Sequence, residues 1–124
     1  SPLSMMSLLV LISSQHFLRK IKTNNMKQEL LDQIKVIIAE EFGVLPEMLI
    51  GSRQSDYVST ARHVLSMTLY NLGLSTVAVG SIIGKDHSTV IHSKKVYYNL
   101  CRTDEYYKLK AEEVERKVNV LIFG

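Results

Sequence analysis

The chain has 124 residues, 46% hydrophobic and 22% charged, with a formal net charge of +3. This is one domain's worth of sequence with an ordinary globular balance, which excludes wholesale disorder, a collagen-like repeat and a disulfide scaffold. Two prolines and six glycines leave few turns, which favours helices over a many-stranded sandwich, and the single cysteine, Cys101, cannot form an internal disulfide, so a reducing compartment is expected.

Residues 1–25 contain Arg19, Lys20 and Lys22 and no acid. Residues 3–18 are uncharged and include Leu8-Leu9-Val10-Leu11-Ile12, but serines interrupt the run and it falls short of the roughly 20 apolar residues of a membrane span. The positive charge follows the apolar run, the reverse of a secretory signal. Met26-Lys27-Gln28-Glu29 reads as a fresh start, so residues 1–25 are expected to be an extension, an extra helix or an interface for a protein partner or a second copy. Residues 26–124 are expected to form the domain.

The first predicted helix runs from Lys27 to Phe42, where Leu30, Leu31, Ile34, Ile37, Ile38 and Phe42 recur at helical spacing before Gly43. Pro46 to Ile50 reads as one short turn with proline at its first position. A second helix is predicted over 59–72, with Ala61, Val64, Leu65, Thr68, Leu69 and Leu72 as its stripe and Gly73 as its stop. Ser75 is placed as the N-cap of a short helix through Ile83 that faces Ala78, Val79, Ile82 and Ile83 inward. Gly84 ends it, and Asp86 caps a further helix from His87 to about Leu100. Thr103, followed by Asp104 and Glu105, is taken to start a last helix through Ile122, with Tyr107, Ala111, Val114, Val118, Leu121 and Ile122 inward.

A short helix, a glycine turn and a second helix backed by a longer one define an all-α, helix-turn-helix bundle of about five to six helices. The middle of the chain is also its basic part. Residues 51–102 carry Arg53, Arg62, Lys85, Lys94, Lys95 and Arg102 against only Asp56 and Asp86, while residues 26–50 and 103–124 are net acidic. At about 100° per residue, Val90, Ser93, Tyr97, Leu100 and Cys101 share one side of the second helix of the motif. Ser88, His92, Lys95 and Asn99 share the other, and no acid lies between His87 and Leu100. Polar side-chain ends for base edges and positive charge for phosphates are what a helix in the major groove of DNA requires, whereas ordinary solvated faces mix signs.

Gly84-Lys85-Asp86-His87-Ser88-Thr89-Val90-Ile91-His92 resembles the signature of the C-terminal DNA-binding domains of the bacterial replication initiator DnaA. Val58-Ser59-Thr60-Ala61-Arg62-His63 is similar to that family's Val-x-x-x-Arg-Gln helix, and 34–50 is similar to its opening helix and turn. The resemblance covers 30–102 and implies a fold of the Trp-repressor and DnaA C-terminal-domain type. It also implies sequence-specific binding of double-stranded DNA at an initiator-box-like site, in replication initiation or its regulation. Carried over by position, Lys85, Asp86, His87, Ser88 and Thr89 form the leading end of the recognition helix, with His87, Ser88 and Thr89 near bases or phosphates. Asp86 caps the helix, accepts a base amino group, or does both. Lys85, Arg62 and Lys95 hold phosphates, His92 matches a later family histidine, and Thr76 and Val77 touch DNA from the preceding helix. Two positions depart from the pattern. Asp56 falls about where the family has a minor-groove arginine in a loop, leaving Arg53 as the candidate substitute, and His63, which the resemblance places among the DNA-binding residues, replaces the usual glutamine. Nothing in the 124 residues resembles the initiator's ATPase domain, so the sequence reads as a fragment or a small free-standing relative, the start at Met26 favouring the latter.

Catalytic and metal sites are not expected, nor is a cofactor. Gly80 to Asp86 mimics a phosphate loop, but only three residues separate the glycines and Asp follows the lysine. His87 and His92 diverge by about 140° around their helix, which is wrong for shared metal ligation. Cys101 lies on the inward side as a small core residue, and the Tyr97-Tyr98 and Tyr106-Tyr107 pairs read as packing, with base stacking on single strands as the lesser alternative. The reading is thus a non-enzymatic, cytoplasmic, nucleoid-associated DNA-binding domain. The alternative is a protein-interaction or transcription-regulatory module that kept the fold: the acid-free stripe favours DNA, and the loss of the loop arginine favours the alternative.

Overall fold

A computed structural model describes residues 26–51 and 55–124 of the chain. Five α-helices follow one another: α1 (Met26–Phe42), α2 (Asp56–Asn71), α3 (Thr76–Ile83), α4 (His87–Thr103) and α5 (Glu105–Phe123), with a 3₁₀ turn at Pro46–Leu49 and no strand among the described residues. The architecture is the expected all-α helix-turn-helix bundle.

Apolar periodicity makes these helices and also joins them. Leu30, Leu31, Ile34, Ile38 and Phe42 of α1 meet Ala61, Val64, Leu65 and Leu69 of α2, and Tyr107, Val114, Val118 and Ile122 of α5, in one core cluster. Val79 and Ile83 of α3 and Val90 of α4 complete it. Leu49 is fully buried, so the 3₁₀ turn is anchored to the bundle rather than looped out. The helix α2 is central, packing on α1, the 3₁₀ turn, α3 and α4, while α5 covers α1 and α4.

Two helix starts differ from expectation. The central helix begins at Asp56, because the Ser55 hydroxyl accepts the Val58 amide at 3.3 Å and caps a turn that lies ahead of the apolar stripe. Asp56 is therefore an exposed first-turn residue, not part of the loop before the helix. The last helix is capped by Asp104, whose carboxylate accepts the Tyr107 amide at 3.0 Å. Thr103 is the last residue of α4, its hydroxyl turned back onto the Asn99 carbonyl at 2.8 Å.

Aromatic packing locks the two late helices onto the early ones. The Tyr107 ring meets Phe42 and Tyr97 at centroid separations of 5.9 and 6.0 Å, and its hydroxyl donates to the Thr60 carbonyl at 2.9 Å. Burial raises the phenol pKa of both Tyr97 and Tyr107. Tyr98 and Tyr106, the other members of the two pairs, are exposed. No helix among the described residues is long and apolar enough to cross a membrane. The expectations for residues 1–25 and for Arg53 lie outside the described residues.

Candidate nucleic-acid interface

The geometry of the motif is set by its turn. Ser75 accepts the Ala78 amide at 3.1 Å and starts α3. Gly84 ends it with φ +75°, a left-handed conformation that favours glycine. Gly80 is required for a different reason. A Cβ there would lie 2.5 Å from the Lys85 carbonyl oxygen, and the Lys85 amide donates to the Gly80 carbonyl at 2.8 Å. The turn is folded so tightly against α3 that no side chain fits between.

Asp86 then organises the head of α4. Its Oδ1 accepts the Thr89 amide at 2.9 Å, the Thr89 hydroxyl at 3.0 Å and the Ser88 hydroxyl at 2.7 Å. These bonds favour the carboxylate and hold the Asp86 pKa down at about 2, so the group is ionised at neutral pH. Both hydroxyls donate to Asp86 and leave only their lone pairs free. Ser88, His92, Lys95 and Asn99 are exposed, as the helical angles predict, His87 is exposed as well, and Val90 and Ser93 are buried on the opposite side. Val77 in the first turn of α3 is 67% exposed, while Thr76 and Lys85 are half-buried.

Two residues assigned to DNA by resemblance lie elsewhere. Arg62 is only 9% exposed; its Nε donates to the Leu49 carbonyl at 3.2 Å, and one terminal nitrogen is buried without a hydrogen-bond partner. It ties the 3₁₀ turn to α2 and does not face outward as a phosphate ligand. His63 is half-buried, with Nδ1 2.8 Å from the Ser93 hydroxyl of α4. Burial, with the nearby charges of His92 and Arg62, lowers its pKa to about 4, so the ring is neutral at pH 7. Arg62 and His63 thus support the motif from behind.

Sequence reasoning missed Ile91, which is 44% exposed on α4 beside Ser88 and Lys95. Its place on the helix is readable in the sequence, but a stripe defined by polar residues alone leaves it out. Lys94 is exposed too, its ammonium 5.1 Å from the Tyr70 ring centre. Among the described residues no group of three or more His, Cys, Asp or Glu side chains could hold a metal ion.

A tightly turned pair of short and long helices, with the second helix capped and polar on its outer side, makes this a helix-turn-helix protein. The family described as "Bacterial dnaA protein helix-turn-helix" matches residues 31–96, and the chain belongs to it. The chain is 28% identical over 99 residues to the chromosomal replication initiator protein DnaA of Flavobacterium psychrophilum, covering 77% of this chain and 21% of that protein. It is 28% identical over 104 residues to the DnaA of Acholeplasma laidlawii, covering 81% and 23%. It is also 39% identical over 57 residues to DnaA 2 of Chlamydia caviae, covering 45% and 12%. The chain spans about a fifth of the length of the first two. The matched part is the helix-turn-helix domain, not the ATPase domain, and membership supports DNA binding as the class of function. No solved structure matches the chain.

Proposed function

We propose that residues 26–124 form a non-enzymatic domain that binds double-stranded DNA sequence-specifically, at an initiator-box-like site, with the head of α4 in the major groove. The observation that carries this is the exposed, acid-free stripe of Ser88, His92, Lys95 and Asn99 behind an Asp86-capped first turn. Lys85 and Lys95 supply phosphate contacts. His87 offers ring nitrogens to base edges, and Thr76 and Val77 meet the duplex from α3. Because the Ser88 and Thr89 hydroxyls donate to Asp86, this turn presents mainly acceptors, which suits the exocyclic amino groups of cytosine and adenine. The process served is replication initiation or its regulation, which puts the protein on chromosomal DNA. Arg62 and His63 hold the motif rather than touch the duplex.

Selection of bound sequences from a random duplex pool tests the reading, followed by titration of the winner across salt concentrations. A consensus site should emerge. With Lys85 and Lys95 at phosphates, log K against log salt should fall with a slope of about −2. Enrichment of no sequence, or an affinity flat in salt, overturns it.

A further inference from the structure

No other described helix shows more than two large apolar side chains to solvent, and α5 shows four: Tyr106, Leu109, Val120 and Phe123, between 47% and 77% exposed. They are not scattered. With the Glu113–Arg116 ion pair between them, they fall at spacings of three, four, three, four and three, the repeat by which two helices pack as a coiled coil. This outer face lies opposite the one that α5 turns to the core, where Tyr107, Ala111, Val114, Val118 and Ile122 are buried.

The face also has the same order read from either end. Tyr106 and Phe123, Leu109 and Val120, and Glu113 and Arg116 are each equally distant from the point between Val114 and Glu115: aromatic with aromatic, aliphatic with aliphatic, acid with base. Such a face is complementary to itself under a two-fold axis. We propose that α5 pairs antiparallel with α5 of a second copy of this chain. Tyr106 then meets the second copy's phenylalanine, Leu109 its valine and Glu113 its arginine. A parallel pair would set Glu113 on Glu113 and Arg116 on Arg116, so the central charges select the antiparallel one. The flanking lysines do not oppose it, because their own chain holds them: Lys117 pairs with Glu41 at 3.2 Å, and Lys110 donates to the Tyr57 hydroxyl at 3.2 Å.

Six residues a side is a small contact against the roughly 20–30 of a standard interface, so the pair is weak in free solution, with a dissociation constant on the order of 100 µM. Two copies held on one duplex gain from it, because their effective concentration there is in about the millimolar range, and the two-fold relation asks for inverted sites. That use rests on the duplex-binding reading above; the pairing itself does not.

Sedimentation equilibrium of the full chain from about 10 µM to about 1 mM tests it. The unmodified chain should pass from monomer to dimer. Glu113→Arg and Arg116→Glu each set like charges together across the axis, and each should weaken self-association at least about tenfold. Leu109→Asp should abolish it over the same range. Mixed in equal amounts, the Glu113→Arg and Arg116→Glu chains should pair with each other about as well as the unmodified chain pairs with itself, since each supplies the charge the other lacks. All three substitutions lie on the outer face, so melting temperatures should stay close to that of the unmodified chain. A chain that remains monomeric throughout overturns the pairing. A dimer that the charge variants leave unchanged, or that their mixture does not restore, places the contact elsewhere, residues 1–25 included, and overturns it as well. Loss of the duplex-binding reading with the dimer intact would leave this inference standing.

Discussion

Arg62-His63 of α2 and Asp86 to Thr89 at the head of α4 are both polar segments that a sequence resemblance assigns to DNA, and the fold treats them oppositely. The helix α2 is packed on α1, the 3₁₀ turn, α3 and α4, and these two side chains find partners inside the bundle: the Leu49 carbonyl for Arg62 Nε, the Ser93 hydroxyl for His63. The head of α4 is exposed on its outer side, where Asp86, His87 and Ser88 stay in water and a local cap organises the Ser88 and Thr89 hydroxyls. A polar residue on a central helix is drawn into the structure, whereas the same chemistry at an exposed helix start remains available to a ligand.

The largest expected effect comes from Gly80→Ala, which attacks the placement of α4 relative to α2. The added methyl meets backbone, the Lys85 carbonyl, which cannot rotate away. Stability should fall by about 1–3 kcal/mol, and selective binding should fall with it as the turn is forced open. Gly43→Ala is the control: nothing lies within 4 Å of its Cβ position, and only its φ of +67° opposes the change. That should cost about 1 kcal/mol and leave selectivity intact. Urea unfolding and duplex titration of both variants provide the check; unaltered binding by Gly80→Ala would mean that the head of α4 is not the interface.

Arg62→Ala sharpens the same contrast. Removing a buried side chain and its bond to Leu49 should cost about 1–3 kcal/mol. The salt slope of duplex binding should not change. A slope shallower by about one would show that Arg62 reaches a phosphate in the complex, and the division between a supporting helix and a binding helix would collapse.

His63 makes its half of the comparison pH-dependent. Its folded pKa of about 4 lies below the ordinary 6.5, so the unfolded chain takes up the proton first as pH falls. The stability tied to the neutral ring is complete above about pH 6.5 and is lost as pH drops toward 4. The loss should reach about 1–2 kcal/mol, less than the shift alone implies, because the ring is partly in water. His63→Gln keeps a hydrogen-bonding group for Ser93 without a titrating one, so its unfolding free energy should be flatter over this interval. Parallel curves for the two proteins would show that the histidine proton is not coupled to folding. Asp86 acts in a lower window: its depressed pKa adds stability above about pH 4 that is lost as pH falls toward 2.

What was legible in the sequence follows the same division. The caps at Ser75 and Asp86, the Gly84 stop and the outward set Ser88, His92, Lys95 and Asn99 depend on local chemistry and one helical period, and both are written in the chain. The starts of α2 and α5 were misplaced by a few residues or fewer because apolar stripes fix a helix's middle, while one side chain, Ser55 or Asp104, fixes its end. The fate of Arg62 and His63 was not legible. It depends on the 3₁₀ turn and α4 closing over α2, a tertiary fact that no local pattern carries. Ile91 was visible as a residue but not as an exposed one.

A last pair of variants leaves the fold intact and separates two kinds of contact within the exposed segment itself. His87 opens α4, where a helix entering the major groove presents its first turn to base edges. Lys95 lies two turns on and offers charge alone. His87→Ala should cost about 1–3 kcal/mol on the selected duplex and little on a scrambled one, so that the ratio of the two affinities falls. Lys95→Ala should weaken both duplexes by a similar factor and make the salt slope shallower by about one. Paired titrations of the two variants, with melting curves to confirm intact folding, measure both. If His87→Ala leaves the affinity ratio untouched and lowers the melting temperature instead, His87 is a helix-start residue and base reading belongs to Ser88 and Thr89 beside it. If Lys95→Ala changes the ratio, the lysine touches a base edge, and the distinction between reading and holding within α4 has to be redrawn around it.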